Sequence, residues 1–348
     1  MNSLNQMKDL TAAALRYENG ELHVLDQRRL PGEEHWHICK DEKDLVALIQ
    51  GLAIRGAPLL GLAAAVWVGH CATRGDSIEQ LSNTIALLRA SRPTAVNLAN
   101  YLERLQKLVD SGADRLSLAD EVAAIFEQDV ALCAAMSEHG AALVEHGDRI
   151  LTHCNTGSLA TAGVGTALGV ITTAHKQGKN ISVWVDETRP LLQGSRLTAW
   201  ELDKAGVPYH LICDSMSAGL MAAAKVDRIM VGADRIAING DFANKVGTYT
   251  LAVLANHHHV PFYVVAPMTT VDTHCNDGTS IPIEQRNADE VRGVAGSFGS
   301  CNWSPVEAPV YNPAFDVTPA ELVTGWILDS GVYDFDDVVA GALQSEAY

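Results

Sequence analysis

The sequence predicts an α/β protein in two parts: a small, mainly helical N-terminal domain opened by a β hairpin (1–130), then a domain built on a parallel sheet (131–348). Three observations predict it. Residues 14–30 alternate polar and apolar around Asn19-Gly20, a strong two-residue hairpin signal. From Asp41 to about Gln128 apolar residues recur at helical spacing, as in "SIEQLSNTIALLRA" and "AVNLANYLERLQKLV". From about residue 145 the period changes to short β-branched runs separated by helical segments, the alternation of a parallel sheet covered on both faces.

The runs in question are "RILTHC", "ISVWVDE", "PYHLICD", "DRIMVGAD" and "PFYVVAP", which end at Cys154, Asp186-Glu187, Asp214, Asp234 and Pro267. In an open parallel sheet, ligands bind beyond the carboxyl ends of the strands. Four of the five ends therefore bring reactive or polar groups to one rim. Further on, 273–312 reads as mixed loop with a short helix, and a Pro-started helix is expected after Thr318.

Composition narrows the function. With 47% hydrophobic and 19% charged residues the chain is a packed globular protein. A formal charge of -17 argues against a nucleic-acid backbone held by a general basic surface, although a few placed arginines suffice for one small phosphate. The stretch "MNSLNQMKDL" lacks a basic region followed by an apolar core, and the apolar run Gly56 to Gly69 is too short for a membrane span, so a cytoplasmic protein without a membrane partner is expected. The seven cysteines (39, 71, 133, 154, 213, 275, 301) form no CxxC pair, so neither disulfides nor a zinc site are indicated. Cys71, Cys133 and Cys213 read as small core hydrophobes.

Several stretches carry chemistry. In "ILTHCNTG", Cys154 at a strand end facing a helix start is either a thiol activated by the helix dipole or a buried cysteine in a turn. His153 is not its partner, because neighbouring strand residues point to opposite faces. "VGADRIAINGDFANKVGTYT" reads as one loop bearing Asp234, Asn239-Gly240, Asp241, Asn244 and Lys245, and ending at a helix near Gly247. Such polar density at a strand end suits an acid/base carboxylate with a phosphate-facing lysine. In "AIRGAPLLGLAAA", Arg55 before a helix start suits a phosphate oxygen, or is a surface arginine in a tight turn. "SRPTAVN" repeats the form, with Arg92 before Pro93, and Thr94 and Asn97 in the first helical turns. In "DETRPLLQGSRLTAWEL", Asp186, Glu187 and Arg189 are expected to pair with one another, while Gln193 is the better ligand candidate. His257, His258 and His259 read as a solvated helix end. The chain has no GxGxxG, Walker loop or HExxH, and no metal or cofactor is expected.

Taken together, "IRGAP", "SRPTAVN", "ILTHCNTG...ATAGVGTALGVI", "DETRPLLQGSRLTAWEL", "GADRIAINGDFANKVGTY", "PFYVVAP" and "YNPAFDVTPAEL" resemble, in order, the S-methyl-5-thioribose-1-phosphate isomerases of methionine salvage. That wider family includes ribose-1,5-bisphosphate isomerases and regulatory subunits of a translation-initiation exchange factor. The resemblance implies a Rossmann-like C-terminal domain, a homodimer, and a sugar-phosphate substrate. It implies Cys154 and Asp234 as the catalytic pair, with Arg55, Gly56, Ala57, Arg92, Gln193, Asn244 and Lys245 holding the substrate. The chemistry expected is ring opening with Asp234 as proton donor, then hydrogen transfer from C2 to C1 as a proton through Cys154 or as a hydride. Closure of the N-terminal domain is expected to exclude water. The other readings are an isomerase of 5-deoxyribose 1-phosphate or ribose 1,5-bisphosphate, and a non-catalytic sensor.

Overall fold

The computed structural model describes residues 7–93, 95–296 and 299–344. Thr94 lies outside the described residues, as do part of the N-terminal decapeptide and residues 297–298 of the 273–312 segment. The chain divides into two compact units. One runs to Arg29 and takes in Glu33–Leu132 and Ser158–Gly163, and the other comprises Leu30–Gly32, Cys133–Gly157 and the chain from Val164 onward.

The first unit opens with four antiparallel strands, β1 (Leu10–Thr11), β2 (Leu15–Glu18), β3 (Glu21–Leu25) and β4 (Trp36–Cys39), in that order in one sheet. Asn19 and Gly20 join β2 to β3 with φ of 54° and 80°, the two positive values that a tight hairpin turn demands. Leu15, Tyr17, Leu22 and Val24 turn one face of the hairpin inward, as the alternation requires.

Five helices follow: α1 (Glu42–Gln50), α2 (Ala57–Arg74), α3 (Ile78–Ser91), α4 (Val96–Asp110) and α5 (Arg115–Leu143). The long apolar run forms α2, which is buried on almost every side from Pro58 to Ala72. A helix that is apolar all round belongs in a core. Among the described residues no helix is long and apolar enough to cross a membrane. Helix α4 crosses α2 at Gly61, where an added Cβ would stand 2.6 Å from the Tyr101 ring and 2.9 Å from the Asn97 carbonyl oxygen.

The second unit has β5 (Arg149–Thr152), α6 (Ala167–Lys176), β6 (Ser182–Asp186), α7 (Ala199–Ala205), β7 (Tyr209–Ile212), α8 (Ser217–Ala222), β8 (Arg228–Val231), β9 (Arg235–Ala237), β10 (Phe242–Lys245), α9 (Thr248–His258), β11 (Phe262–Val265), β12 (Val271–Asp272), α10 (Asp289–Arg292), β13 (Gly293–Gly296), β14 (Gly299–Asn302), β15 (Phe315–Thr318), β16 (Gly325–Leu328), β17 (Gly331–Tyr333) and α11 (Phe335–Val339). Its main sheet has the order β17-β16-β11-β8-β5-β6-β7, parallel throughout except for β17. The five apolar runs of the sequence are five of these strands. Their β-branched residues are buried on both faces: Ile150, Val183, Val185, Ile229, Val231, Val264 and Val265.

Three expectations change. The expected helix after Thr318 is one 3-10 turn (Ala320–Leu322), after which the chain becomes the sixth parallel strand, β16. Thr324 exchanges bonds with Phe262, its amide donating to the Phe262 carbonyl and its hydroxyl accepting the Phe262 amide, so the chain is committed to β11 before a helix can propagate. The 232–247 stretch is no loop but the hairpin β9–β10, in a second sheet of order β12-β9-β10-β15. Asn239-Gly240 is its turn, and Ile236, Ala237, Phe242 and Ala243 fill its buried positions. Within 273–312 the short helix is α10, and the antiparallel hairpin β13–β14 is added to it.

Gly61→Val should cost about 1–3 kcal/mol of stability by overpacking the α2–α4 contact. Urea denaturation measures it, and a wild-type midpoint with an unchanged slope would show that the crossing yields.

Candidate active site

The exits of β5 and β6 are tied together through the Cys154 backbone. Its amide is accepted by the Thr188 hydroxyl at 2.8 Å, and its carbonyl accepts the Thr198 hydroxyl at 2.6 Å. Thr188 in turn donates to the Asp186 carbonyl at 3.1 Å. Between these anchors Cys154 adopts a φ of 66°, and Thr188 and Leu192 stand at 64° and 57°. Left-handed backbone at a non-glycine residue costs on the order of 1–3 kcal/mol and persists only where neighbours over-determine it. The thiol itself is half-buried. No helix begins directly after it: a 3-10 turn (Ser158–Ala160) comes first and α6 starts only at Ala167, so the dipole expected from the following helix is not there.

His153 points the other way and is fully buried. Its Nδ1 lies 3.0 Å from Asp186 Oδ2 and its Nε2 2.9 Å from the Val246 carbonyl oxygen. A carbonyl only accepts, so Nε2 carries a proton, and the bond to Asp186 must hold a second one shared between ring and carboxyl. Burial alone would lower the histidine pKa, but the bond to Asp186 and the charges of Asp186 and Asp214 raise it above its usual value. Burial also pushes the Asp186 carboxyl up, with His153 offsetting only part of it. Both directions favour retention of the proton that the two share.

Asp186 therefore pairs with His153, and not with Glu187 or Arg189 as expected. Asp214 accepts the Thr188 and Arg189 amides at 2.8 and 2.7 Å. The Arg189 guanidinium donates to the carbonyls of Pro190, Glu290 and Val291 and lies over the Trp303 ring. His153, Asp186 and Asp214 have ligand-type atoms within 4.8 Å of one another, a spacing that could suggest a cation. Their hydrogen bonds commit both nitrogens of the ring and both oxygens of Asp214, so protons already hold this cluster.

Asp234 follows β8, the neighbour of β5, and its amide donates to the Ala243 carbonyl at 2.9 Å. Its side chain is half-buried. On β10, buried Asn244 donates to the Thr248 hydroxyl at 2.9 Å, while Lys245 donates to the Ala314 carbonyl at 2.7 Å and sits over the Phe315 ring. Both therefore stand on a strand leading into α9, and not in a loop. Gln193 is buried just before a π-helical turn (Gly194–Thr198), with its Oε1 lacking a hydrogen-bond partner. Cys154, Asp234, Gln193, Asn244 and Lys245 thus all belong to the carboxyl-end side of the second unit's sheet.

Arg55, Gly56, Ala57 and Arg92 belong to the first unit. Gly56 precedes α2 with φ 96°, and an added Cβ would stand 2.6 Å from the Ala160 Cα, so glycine is required there. Helix α2 has no side-chain cap at its start, where the Gly56 and Ala57 amides lie. Arg55 is half-buried, and Arg92 ends α3. The Ser158–Gly163 segment packed on Gly56 is held by Gln27, which donates to the Leu159 carbonyl at 2.7 Å, and by Asp129, which accepts the Ala162 amide at 2.6 Å. Burial pushes the Asp129 carboxyl up to about 6, against the pull of the Ala162 and Gly163 amides.

The sequence reading missed Asp129, Thr188, Thr198 and the role of His153. A lone aspartate in an amphipathic helix carries no signal, whereas the threonines sit in a quoted motif and were overlooked beside its charges. Cys71 and Cys133 are buried as expected, but Cys213 is exposed, because β7 is the sheet's edge strand. His257 and His258 end α9, with His259 as its cap.

Residues 53–334 match the Initiation factor 2 subunit family. The methylthioribose-1-phosphate isomerase of Serratia proteamaculans (strain 568) is 55% identical over 338 residues, covering 97% of this chain and 99% of its own. The crystal structure of 5-methylthioribose 1-phosphate isomerase from Pyrococcus horikoshii OT3 superposes with a TM-score of 0.87 at 39% identity, covering 96% of both chains. That of the translation initiation factor eIF-2B, subunit delta, from A. fulgidus gives 0.83 at 39% identity, covering 96% of this chain and 100% of its own.

Asp129 supplies a prediction. Its folded pKa of about 6 exceeds the ordinary 3.8, so its contribution to stability is full below pH 4 and is lost as pH rises through 6. The loss should reach about 3 kcal/mol. Asp129→Asn should remove this slope, so that the stability difference between variant and wild type grows in the variant's favour from pH 4 to 6.5. Parallel denaturation curves across that range would contradict it.

Proposed function

Since the chain belongs to the Initiation factor 2 subunit family, we propose from that premise that it isomerises 5-methylthioribose 1-phosphate to 5-methylthioribulose 1-phosphate. The observation that carries the reading is a thiol and a carboxyl, Cys154 and Asp234, following adjacent parallel strands in a chain whose near-full-length relatives are named as this isomerase.

The chemistry explains the residue types. The phosphate on C1 blocks the spontaneous ring opening of a free sugar, so the ring must open with the phosphate in place. Asp234 protonates the ring oxygen as its bond to C1 breaks. The hydrogen on C2 then moves to C1, and the C2 hydroxyl becomes the ketone by giving its proton to a base, the Asp234 carboxylate directly or through water, which restores the acid. Substrate and product are isomers, so C1 is reduced as C2 is oxidised and no external electron carrier is consumed. Cys154 handles the C2 hydrogen in this reading. Arg55 and Arg92, with the Gly56 and Ala57 amides, take the phosphate, and Gln193, Asn244 and Lys245 complete substrate binding. In a chain of charge -17, such local cations are how an anion is held. The protein works as a cytoplasmic homodimer in methionine salvage, and sedimentation velocity giving a monomer would overturn that oligomeric state.

Cys154→Ser and Asp234→Asn should each lower kcat by about 10²–10⁴-fold, the range of a lost acid–base group. Proton NMR of substrate conversion measures it. Run in deuterium oxide, solvent label at C1 marks proton transfer, and its absence marks a hydrogen that passes from C2 to C1 without exchange. Full activity in either variant would remove that residue from the chemistry. The likeness to a delta subunit favours one second reading, a binding subunit without turnover, whose result would be wild-type protein that binds the sugar phosphate and never converts it.

Arg92→Ala should raise KM at least tenfold, the cost of about 1.4 kcal/mol of phosphate binding. An unchanged KM would take Arg92 out of the site.

A further inference from the structure

His153 stands next to Cys154, yet the isomerisation described above makes no use of it. Its ring is fully buried, with carboxyl groups of three other segments near it. Asp186 ends β6, Asp214 follows β7, and Asp316 lies on β15, with Glu187 adjoining Asp186. Both nitrogens of the His153 ring are committed, one to Asp186 and one to the Val246 carbonyl, so the ring can neither flip nor change tautomer without breaking a buried bond.

Val246 belongs to the turn between β10 and α9, and that turn is held on its other side too. Asp316 accepts the Gly247 amide at 2.7 Å and the Tyr249 amide at 3.1 Å. The histidine ring is packed directly under the turn: an added Cβ on Gly247, whose φ is 108°, would stand 2.9 Å from His153 Cε1. The same turn follows Asn244 and Lys245, while His153 leads directly into the left-handed Cys154. Movement of the ring is therefore movement of both.

Resting on the reading of Cys154 and Asp234 given above, we propose that His153 and Asp186 are a positioning pair, in which Asp186 orients the ring and the ring's Nε2–H bond to Val246 locks the exit of β5 to the β10–α9 turn. The pair touches no substrate. It fixes the Cys154 backbone relative to the strand that carries Asn244 and Lys245, and so sets the geometry in which the C2 hydrogen is transferred.

Steady-state kinetics on His153→Asn, Asp186→Asn and Cys154→Ser tests this. His153→Asn loses the Val246 bond and should lower kcat about 100-fold, the effect of a misplacement of about 1 Å. KM should stay within about threefold, because Asn244 and Lys245 keep their own bonds to Thr248 and the Ala314 carbonyl. Asp186→Asn keeps the geometry: its amide donates to Nδ1 of a neutral ring whose Nε2 still donates to Val246, and its carbonyl replaces the unpartnered Asp186 Oδ1. It should keep kcat within about fivefold of wild type.

Wild-type kcat in His153→Asn would overturn the proposal. So would an Asp186→Asn variant as impaired as His153→Asn, since the pair would then act through its charge. Where His153→Asn fails to fold, Asp186→Ala replaces it, with the ring tethered only at Val246. A kcat fall of at least about tenfold supports the assignment and a wild-type value overturns it. Cys154→Ser separates the two levels. Full turnover in that variant defeats the catalytic reading, whereas an inactive Cys154→Ser beside a normal His153→Asn defeats the positioning pair alone.

Discussion

The second unit's rim depends on the peptide units that flank Cys154. They are held by two threonine hydroxyls from different segments, Thr188 after β6 and Thr198 in the π-helical turn, and this is what keeps a non-glycine residue left-handed at the end of β5. Without those bonds the chain would relax toward the ordinary strand or turn region, and the thiol would leave the rim. Thr188 is in turn fixed by Asp214, and Asp186 by His153, so the strain at one residue is distributed over three strand ends. Such a network is rigid because each of its donors has one acceptor within reach.

That rigidity explains a division of labour between two neighbouring residues. His153 faces inward and carries the structural bonds, while Cys154, one residue on and bent the other way, remains half-buried with its thiol available. The groups proposed to bind substrate are distributed similarly. Gln193 keeps an unpartnered oxygen in a buried setting, which costs free energy unless something else pairs with it. In the first unit the uncapped start of α2 sits on a loop that a buried aspartate anchors, so the backbone amides of Gly56 and Ala57 are presented by a braced segment.

Much of this fold was legible from residue pattern. Four of the five runs, β5, β6, β8 and β11, are strands because a sheet buried on both faces needs Val and Ile there, while β7 is the exposed edge. The hairpin at Asn19-Gly20 is present because those two residues tolerate its dihedrals. The strand β16 was not legible: "GWIL" follows a proline and acidic residues that read as a helix start, and its commitment comes from Thr324 bonding to a strand 62 residues away. Asn239-Gly240 is a hairpin signal of the same kind as the first, yet it was read as loop because the polar residues around it drew a functional reading. In the site, the motif around Cys154 was visible, but residue roles came from resemblance. The proton-sharing of His153 and Asp186 was hidden, since two residues 33 apart meet only when β5 and β6 pair.

Alkylation of the native protein with iodoacetamide, followed by peptide mass mapping, tests the central claim most directly. Cys154, Cys213 and Cys301 are the cysteines with accessible surface; Cys213 follows the edge strand β7, and of the three only Cys154 is proposed to act in catalysis. The account predicts that 5-methylthioribose 1-phosphate protects Cys154 while Cys213 and Cys301 react as before. Equal labelling of Cys154 with and without saturating substrate would contradict it.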